Sequence, residues 1–528
     1  LLPPSQRPKD GDKSATNAGE VRIVMCHCRV DWDAYRYNTR TGETWWPDTS
    51  KDPQWVWKKM ADDHPPAESE FDLQAVYYLQ GDNKIEQILR LDRNTGQTWW
   101  LDAGAWKSMA EPSSFAQTSP PQHGFRLLLI SDGAGWQAFR FDAESGATWT
   151  TDFDKGNNNA PFWRTVADDD SLSAGSYDLQ GVPYTDDGDV CRAVRIDRKS
   201  GRAWVALGYA WSAIAEPPEF AASAAPESGY RSIMNASTKY WYVYRLNPET
   251  GEMWLPTKGD NGTIWTKIPE QRALPRGSYD AQIVSWIEQT TGYHYVLRME
   301  RGSGRMWLSW DDRNWLEVVE RNDFGGGAAP RGGYRLLSSC SEKGWYALRV
   351  DLETGATWAP NLYDDRWIAD RWEDDPPLER GSYDFGMVSF IDGNDGTENV
   401  YRIDRDTGDV WVYNEKWKEI IAQKTLQTFN RRPANGYQLI LCPSPTACTP
   451  FRFDATNGIT WTPNPSQPML WKPIEEREQL PANGYALSVI SYQGDKDATF
   501  VTVLRTDPST GKSWYAANNK WTAIDEPQ

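Results

Sequence analysis

The sequence predicts an all-β fold: ten tandem repeats of about fifty residues, each a four-stranded blade, together a ten-bladed β-propeller over residues 21–528. Three observations predict it. A Trp recurs ten times, at Trp45, Trp99, Trp149, Trp204, Trp254, Trp307, Trp358, Trp411, Trp461 and Trp514, at intervals of 50 to 55 residues. Three residues before each Trp stands a Gly, and nine before it an Arg: Arg36, Arg90, Arg140, Arg195, Arg245, Arg298, Arg349, Arg402, Arg452 and Arg505. Between these fixed points apolar and polar residues alternate in short runs, and no stretch has the period of a long amphipathic helix. Two five-bladed propellers or an open array would satisfy the same pattern.

The chain opens with a polar tail, residues 1–20, that lacks the apolar alternation of the repeats. Each repeat then starts with an aromatic residue and an alternating run, as in "GFRLLLI" or "GSYDAQIV". Next comes the Arg-containing phrase, for example "ILRLDRNTGQTWWLD" from Ile88 to Asp102. Leu89 and Leu91 point one way, Arg90 and Asp92 the other, so this is a strand. Gly96 supplies the positive φ that a hairpin turn needs, and Asp92 can accept backbone N–H bonds inside the turn. The residue at Asp92 is Asp in seven repeats, Asn in two (Asn38, Asn247) and Glu in one (Glu300). The return strand carries the anchor Trp. A final strand reads Trp-x-x-(Ile, Val or Met) in nine repeats; the repeat containing Trp367 departs, with Asp370 in the last place. The two Trp positions account for twenty of the thirty Trp residues and are expected to pack blade against blade.

A longer period overlies the shorter. The connector after the anchor Trp is long in odd repeats and short in even ones, so the chain reads as five pairs of about 104 residues. If the Trp-x-x-Ile strand were innermost in the following blade, the first blade would lack a strand. Residues 521–525 would then supply it beside residues 21–46. The repeated Arg is expected to lie between blades, pairing with the Asp of its own phrase or stacking on a Trp.

"SGATW" and "TGETW" resemble the second half of the Asp-box hairpins of sialidase-type propellers. The repeats are also similar to Asp-x-x-Thr-Gly-x-x-Trp repeats of uncharacterised bacterial exported proteins. The first match is partial. An Asp box carries Ser seven and Asp five residues before its Trp, whereas this chain carries Asp at the former place and no fixed residue at the latter. The resemblance implies a propeller and not an activity. Sialidases grip a carboxylate with an Arg trio, which makes a glycosidase the third functional reading. An Arg demanded by every repeat is more simply structural than catalytic.

A formal net charge of −18 argues against nucleic acid and anionic membrane as partners. No apolar run reaches membrane-spanning length. The start at Leu1 and the polar tail favour an exported protein: periplasmic, secreted or at the cell surface. Cys442 and Cys448 bracket a turn between two strands and form a candidate hairpin disulfide. Cys26-His27-Cys28 lacks clustered ligands, so neither a metal nor a cofactor is expected. The four His have no nucleophile partner motif, and "ADDD" at 167–170 and Asp374-Asp375 read as solvated connectors. The sequence thus predicts a non-catalytic scaffold for a protein partner or larger assembly, with a lectin-like carbohydrate module as the second reading. Trp46, Phe153, Phe162 and Tyr363, in or beside the long odd connectors, are the candidate binding residues.

Overall fold

The computed structural model describes residues 19–526 apart from short connecting stretches, the longest being 185–190, 321–328, 423–432 and 494–498; the tail at 1–18 lies outside the described residues. Among the described residues the chain forms ten successive antiparallel meanders of four strands, called units 1–10 here. Unit 3 is representative, with Arg126–Ser131, Trp136–Phe141, Thr148–Asp154 and Ala160–Thr165 paired in that order. The architecture is all-β and propeller-like.

The Gly turn joins the second and third strands. In unit 3 Asp142 Oδ1 accepts the N–H of Glu144 at 2.8 Å, and the N–H of Gly146 donates to the Asp142 carbonyl at 2.9 Å. Gly146 has φ +76°, and a Cβ there would sit 2.9 Å from Leu172 and 3.1 Å from Tyr177. Glycine is therefore required twice, for the turn and for the approach of the next unit. With the Trp-x-x-Ile strand innermost in the following blade, this hairpin would fall between a blade's third and fourth strands; it lies one strand earlier.

The cores lie between units. Phe139 and Phe141 of unit 3 pack with Tyr177, Trp204 and Trp211 of unit 4. The same pattern continues along the chain, and Ala34 and Trp57 of unit 1 share a cluster with Leu504, Tyr515 and Ile524 of unit 10. First strands pack side by side from unit to unit, and Ala486–Gln493 of unit 10 packs against Val21–Cys28 of unit 1. The first strand is thus the shared inner one. The Trp-x-x-Ile strand is the fourth strand of its own unit, at the far edge of that sheet, which corrects the expected order. Burying both faces of a sheet makes its period-two pattern the same whichever edge lies inside, so alternation could not decide this point.

After its fourth strand the chain crosses to the fourth strand of the next unit in a short parallel contact. Ala61–Asp62 runs beside Ala105–Ser108, and Val319–Glu320 beside Arg366–Trp372. The chain end makes this contact at the seam: Asp525 bridges Val56, and its carbonyl accepts the Trp57 N–H at 2.9 Å. The chain end therefore pairs along residues 55–57 and not as a strand beside 21–46, which it reaches only through side chains such as Glu526 on Arg36.

Unit 7 is read two residues out of register in the sequence. Trp358 faces Arg371, whereas Trp149 faces Thr165 and Trp204 faces Ala213. Ala369 therefore occupies the second Trp place and Trp372 the Ile place. Trp367 packs instead near Tyr295 and Trp345, with centroids at 6.0 and 5.7 Å.

Cys442 and Cys448 are free thiols, which corrects the disulfide expectation. Cys442 faces Thr449 and Cys448 faces Pro443. A one-residue offset across a hairpin puts the two side chains on opposite faces. They accordingly join different cores, Cys442 with Trp521 and Cys448 with Trp471. Burial pushes their thiols up to about 11 and about 12.

Candidate binding site

The repeated Arg is buried between units, as expected, but its carboxylate is not the Asp of its own phrase. Arg140 Nη1 donates to the Gly96 carbonyl at 2.6 Å, and Nη1 and Nη2 each reach Glu111 at 2.7 Å. Gly96 and Glu111 both belong to unit 2. The guanidinium lies 4.8 Å from Trp149, 5.0 Å from Trp163 and 3.7 Å from Phe115. Asp142 is occupied in its own turn. Eight further junctions repeat the ion pair: Arg36–Glu526, Arg90–Asp62, Arg195–Asp168, Arg245–Glu216, Arg298–Glu270, Arg349–Glu320, Arg402–Asp374 and Arg505–Glu476. In each, Arg also donates to the anchor Gly carbonyl of the preceding unit. Arg36 takes both partners from unit 10, so the seam is built like the other junctions.

Burial lowers the Arg140 pKa, with Glu111 opposing it, and raises that of Glu216, with Arg245 opposing it. Desolvation leads in both cases. The pairs therefore fix the alignment of neighbouring units more than they add net stability, and losing one partner is what costs. Asp168 and Asp374, read from sequence as solvated, are junction partners, and Asp374 is only 7% exposed on its side chain. The sequence carried a signal for them: an acidic residue two places after the Ile position, visible in "MAD", "MAE", "VAD" and "IAE".

In a four-strand meander the connections between strands one and two and between three and four share one end, opposite the Gly turns. The long odd connectors are therefore on that face. Among the four candidates, Trp46 is half-buried, with the Lys58 ammonium 5.5 Å from its ring. Phe153 is half-buried, edge-on to Trp136 at 5.2 Å. Phe162 is half-buried, 6.0 Å from the Arg164 guanidinium. Tyr363 ends the strand Thr357–Tyr363, and its side chain lies outside the described residues. The exposed apolar residues on this face are others: Leu79, Leu207, Tyr209, Tyr240, Tyr293, Trp310, Leu362 and Phe500, with Trp310 58% and Leu362 57% exposed. They sit at strand ends beside the two sets of connections. Leu362 lies in a long odd connector; the others lie in short even connectors or between first and second strands, which the choice of candidates passed over. The signal was apolar residues at hairpin tips with no repeat role, as in Leu207-Gly208-Tyr209.

Two other features could serve chemistry. Between units 1 and 2 the Tyr35 hydroxyl donates to Glu86, the Tyr77 hydroxyl to Asp33, and the Cys26 thiol to Glu86 at 3.0 Å. Burial, with Glu86 and Asp33 adding to it, pushes the Tyr35 phenol well above its usual value, so it keeps its proton at neutral pH. On the Gly-turn side, a groove of about 400 Å³ between units 5 and 6 is lined by Asn247, Thr250, Glu252, Lys267, Glu270 and Arg276, among others. Among the described residues no group of three or more His, Cys, Asp or Glu is placed to hold a metal ion.

No protein-family model and no curated protein matches the chain. Solved structures similar to it are β-propeller-type proteins. YCF48 from Cyanidioschyzon merolae is 13% identical at a TM-score of 0.29, covering 64% of this chain and 95% of its own. Citrobacter koseri AztD is 9% identical at 0.36, covering 81% and 92%. The fucose-specific lectin from Aleuria aurantia is 9% identical at 0.25, covering 76% and 96%. At such scores the architecture rests on the chain's own strand pairing.

Proposed function

We propose that residues 21–528 form a ten-bladed β-propeller that acts as a non-catalytic, extracytoplasmic scaffold, binding a protein partner through the face opposite the Gly turns. One observation carries this reading: of the ten exposed large apolar side chains among the described residues, eight lie on that face. The Gly-turn side carries only Val319 and Ile421, beside charged residues such as Arg40, Arg93, Glu144, Glu249 and Lys512. Apolar side chains rimmed by polar ones, on the variable connections of a fixed frame, suit protein recognition. The half-buried Trp46, Phe153 and Phe162 support the rim of that face. Carbohydrate binding is the second reading, favoured by the hydrogen-bonding groove between units 5 and 6, which is on the other side.

The test is affinity capture from the native source with the wild-type chain and two variants. In the first, Leu79, Leu207, Tyr293 and Trp310 become Ser; in the second, Glu252 and Lys267 become Ala. A protein retained by wild type and by the second variant, and lost with the first, supports the proposal. Retention by the first variant with loss in the second contradicts it and favours the groove.

A further inference from the structure

We propose that the junction between units 8 and 9 is a carboxylate-binding socket built on Arg452. It would take from outside the acidic group that the nine other junctions supply from the chain itself. The fourth strand of unit 8 crosses to unit 9 in the usual way, Ile421 facing Leu470 and Ala422 facing Trp471. At the equivalent places Asp62 faces Trp106 and Asp168 faces Trp211. Ala422 thus stands where a carboxylate stands elsewhere. The ten residues that follow, 423–432, contain no Asp or Glu.

The Arg is still present and still enclosed. Arg452 is 7% exposed, and its guanidinium lies 4.5 Å from Tyr437 and 4.6 Å from Trp461. Its Nε is buried without an acceptor, as in the other repeat Arg residues. Unlike theirs, neither of its Nη atoms makes a hydrogen bond or ion pair among the described residues, not even to the Gly408 carbonyl, although Gly408 is adjacent and a Cβ there would sit 2.7 Å from Nη2. Of the Arg452 guanidinium nitrogens only Nε is a buried atom without a partner, so the two Nη atoms open toward solvent. A largely enclosed guanidinium without an anion is costly, so the site favours any anion that reaches these atoms. A planar fork between two rings suits a planar two-oxygen acceptor better than a tetrahedral one. The ligand class is therefore a carboxylate, either a small free anion or the side chain of Asp or Glu on another chain. This socket is on the Gly-turn side and is independent of the apolar face.

The experiment is a thermal-melt titration of the full chain with sodium acetate against sodium chloride and sodium sulfate at matched ionic strength, with calorimetry on blocked Gly-Glu-Gly and Gly-Gln-Gly peptides. Wild type is expected to gain melting temperature saturably with acetate and not with chloride or sulfate. Arg452→Ala and Ala422→Glu should each weaken the acetate response by about tenfold or more, the loss expected for hydrogen bonds to a charged group. Ala422→Glu should also melt higher without ligand. Binding of the Glu peptide alone assigns the source to another chain, and a response to acetate alone assigns it to a small anion. The absence of both an acetate response and Glu-peptide binding in wild type overturns the proposal whether or not the variants fold. So does an acetate response that survives Arg452→Ala.

Discussion

Arg140 locks unit 3 to unit 2: its three bonds all go to Gly96 and Glu111 of unit 2, while Trp149 and Trp163 of its own unit, with Phe115, hold the guanidinium in place. Removing it leaves Glu111, whose side chain is 27% exposed, beside an empty apolar slot. Arg140→Ala should therefore destabilise the protein by about 3 kcal/mol, the lower end for a broken buried pair because water partly reaches Glu111. Arg140→Lys should recover little, since an ammonium cannot make the two-pronged contact. Chemical denaturation checks both, and an unchanged midpoint for Arg140→Ala would refute the structural role. Turn acids behave differently. Burial pushes the Asp507 carboxyl up, but bonds from Ser509, Thr510 and Asn483 outweigh this and hold it below its usual range. A lowered folded pKa stabilises above the unfolded value of about 4 and is lost as pH falls through the folded value. Asn38 and Asn247 already make these turn bonds. Asp507→Asn should therefore be near neutral at pH 7 and lose less stability than wild type below about pH 4. At this scale the Arg, Gly, Trp and turn acid were legible in sequence because each recurs at fixed spacing. The junction acids were harder to see because their partner lies in the next unit.

The Gly turn is the element that fixes each hairpin, and two glycines separate its two requirements. Gly146→Ala must adopt φ near +76° and also push its Cβ to 2.9 Å from Leu172. Gly133→Ala must adopt φ near +88° with nothing within 4 Å. The first should cost about 2–3 kcal/mol and the second about 1 kcal/mol. Equal costs, read as shifts in the denaturation midpoint, would mean that backbone strain alone explains the repeated Gly. Strand existence was legible from alternation, and the turn from Gly. Register was not always so. In unit 7 the phrase "RWIADRW" offers two Trp, and only pairing across the sheet selects Trp372 for the Ile place.

At the scale of the molecule, strand order and closure depend on contacts hundreds of residues apart, which local pattern does not encode. Unit 1 meets unit 10 through Val21 N–H on the Pro508 carbonyl, Arg36 on Gly511 and Glu526, and Asp525 on Trp55 and Trp57. Deleting residues 525–528 should unpair Arg36 and lower the melting temperature about as much as Arg140→Ala does. It should not unfold the chain, because the cluster of Ala34, Trp57, Leu504 and Tyr515 remains. An unchanged melt would mean that the seam is not closed by the chain end. On the proposed reading the two faces of the assembly divide the work: Gly turns and Arg sockets hold it together on one side, and exposed apolar tips line the other. Hydrogen–deuterium exchange on the chain with and without its captured partner tests that division most directly. The account predicts slowed exchange at the tips around residues 207–210, 240–242 and 308–310, with the ten Gly turns unchanged. Slowed exchange confined to the Gly turns would contradict it.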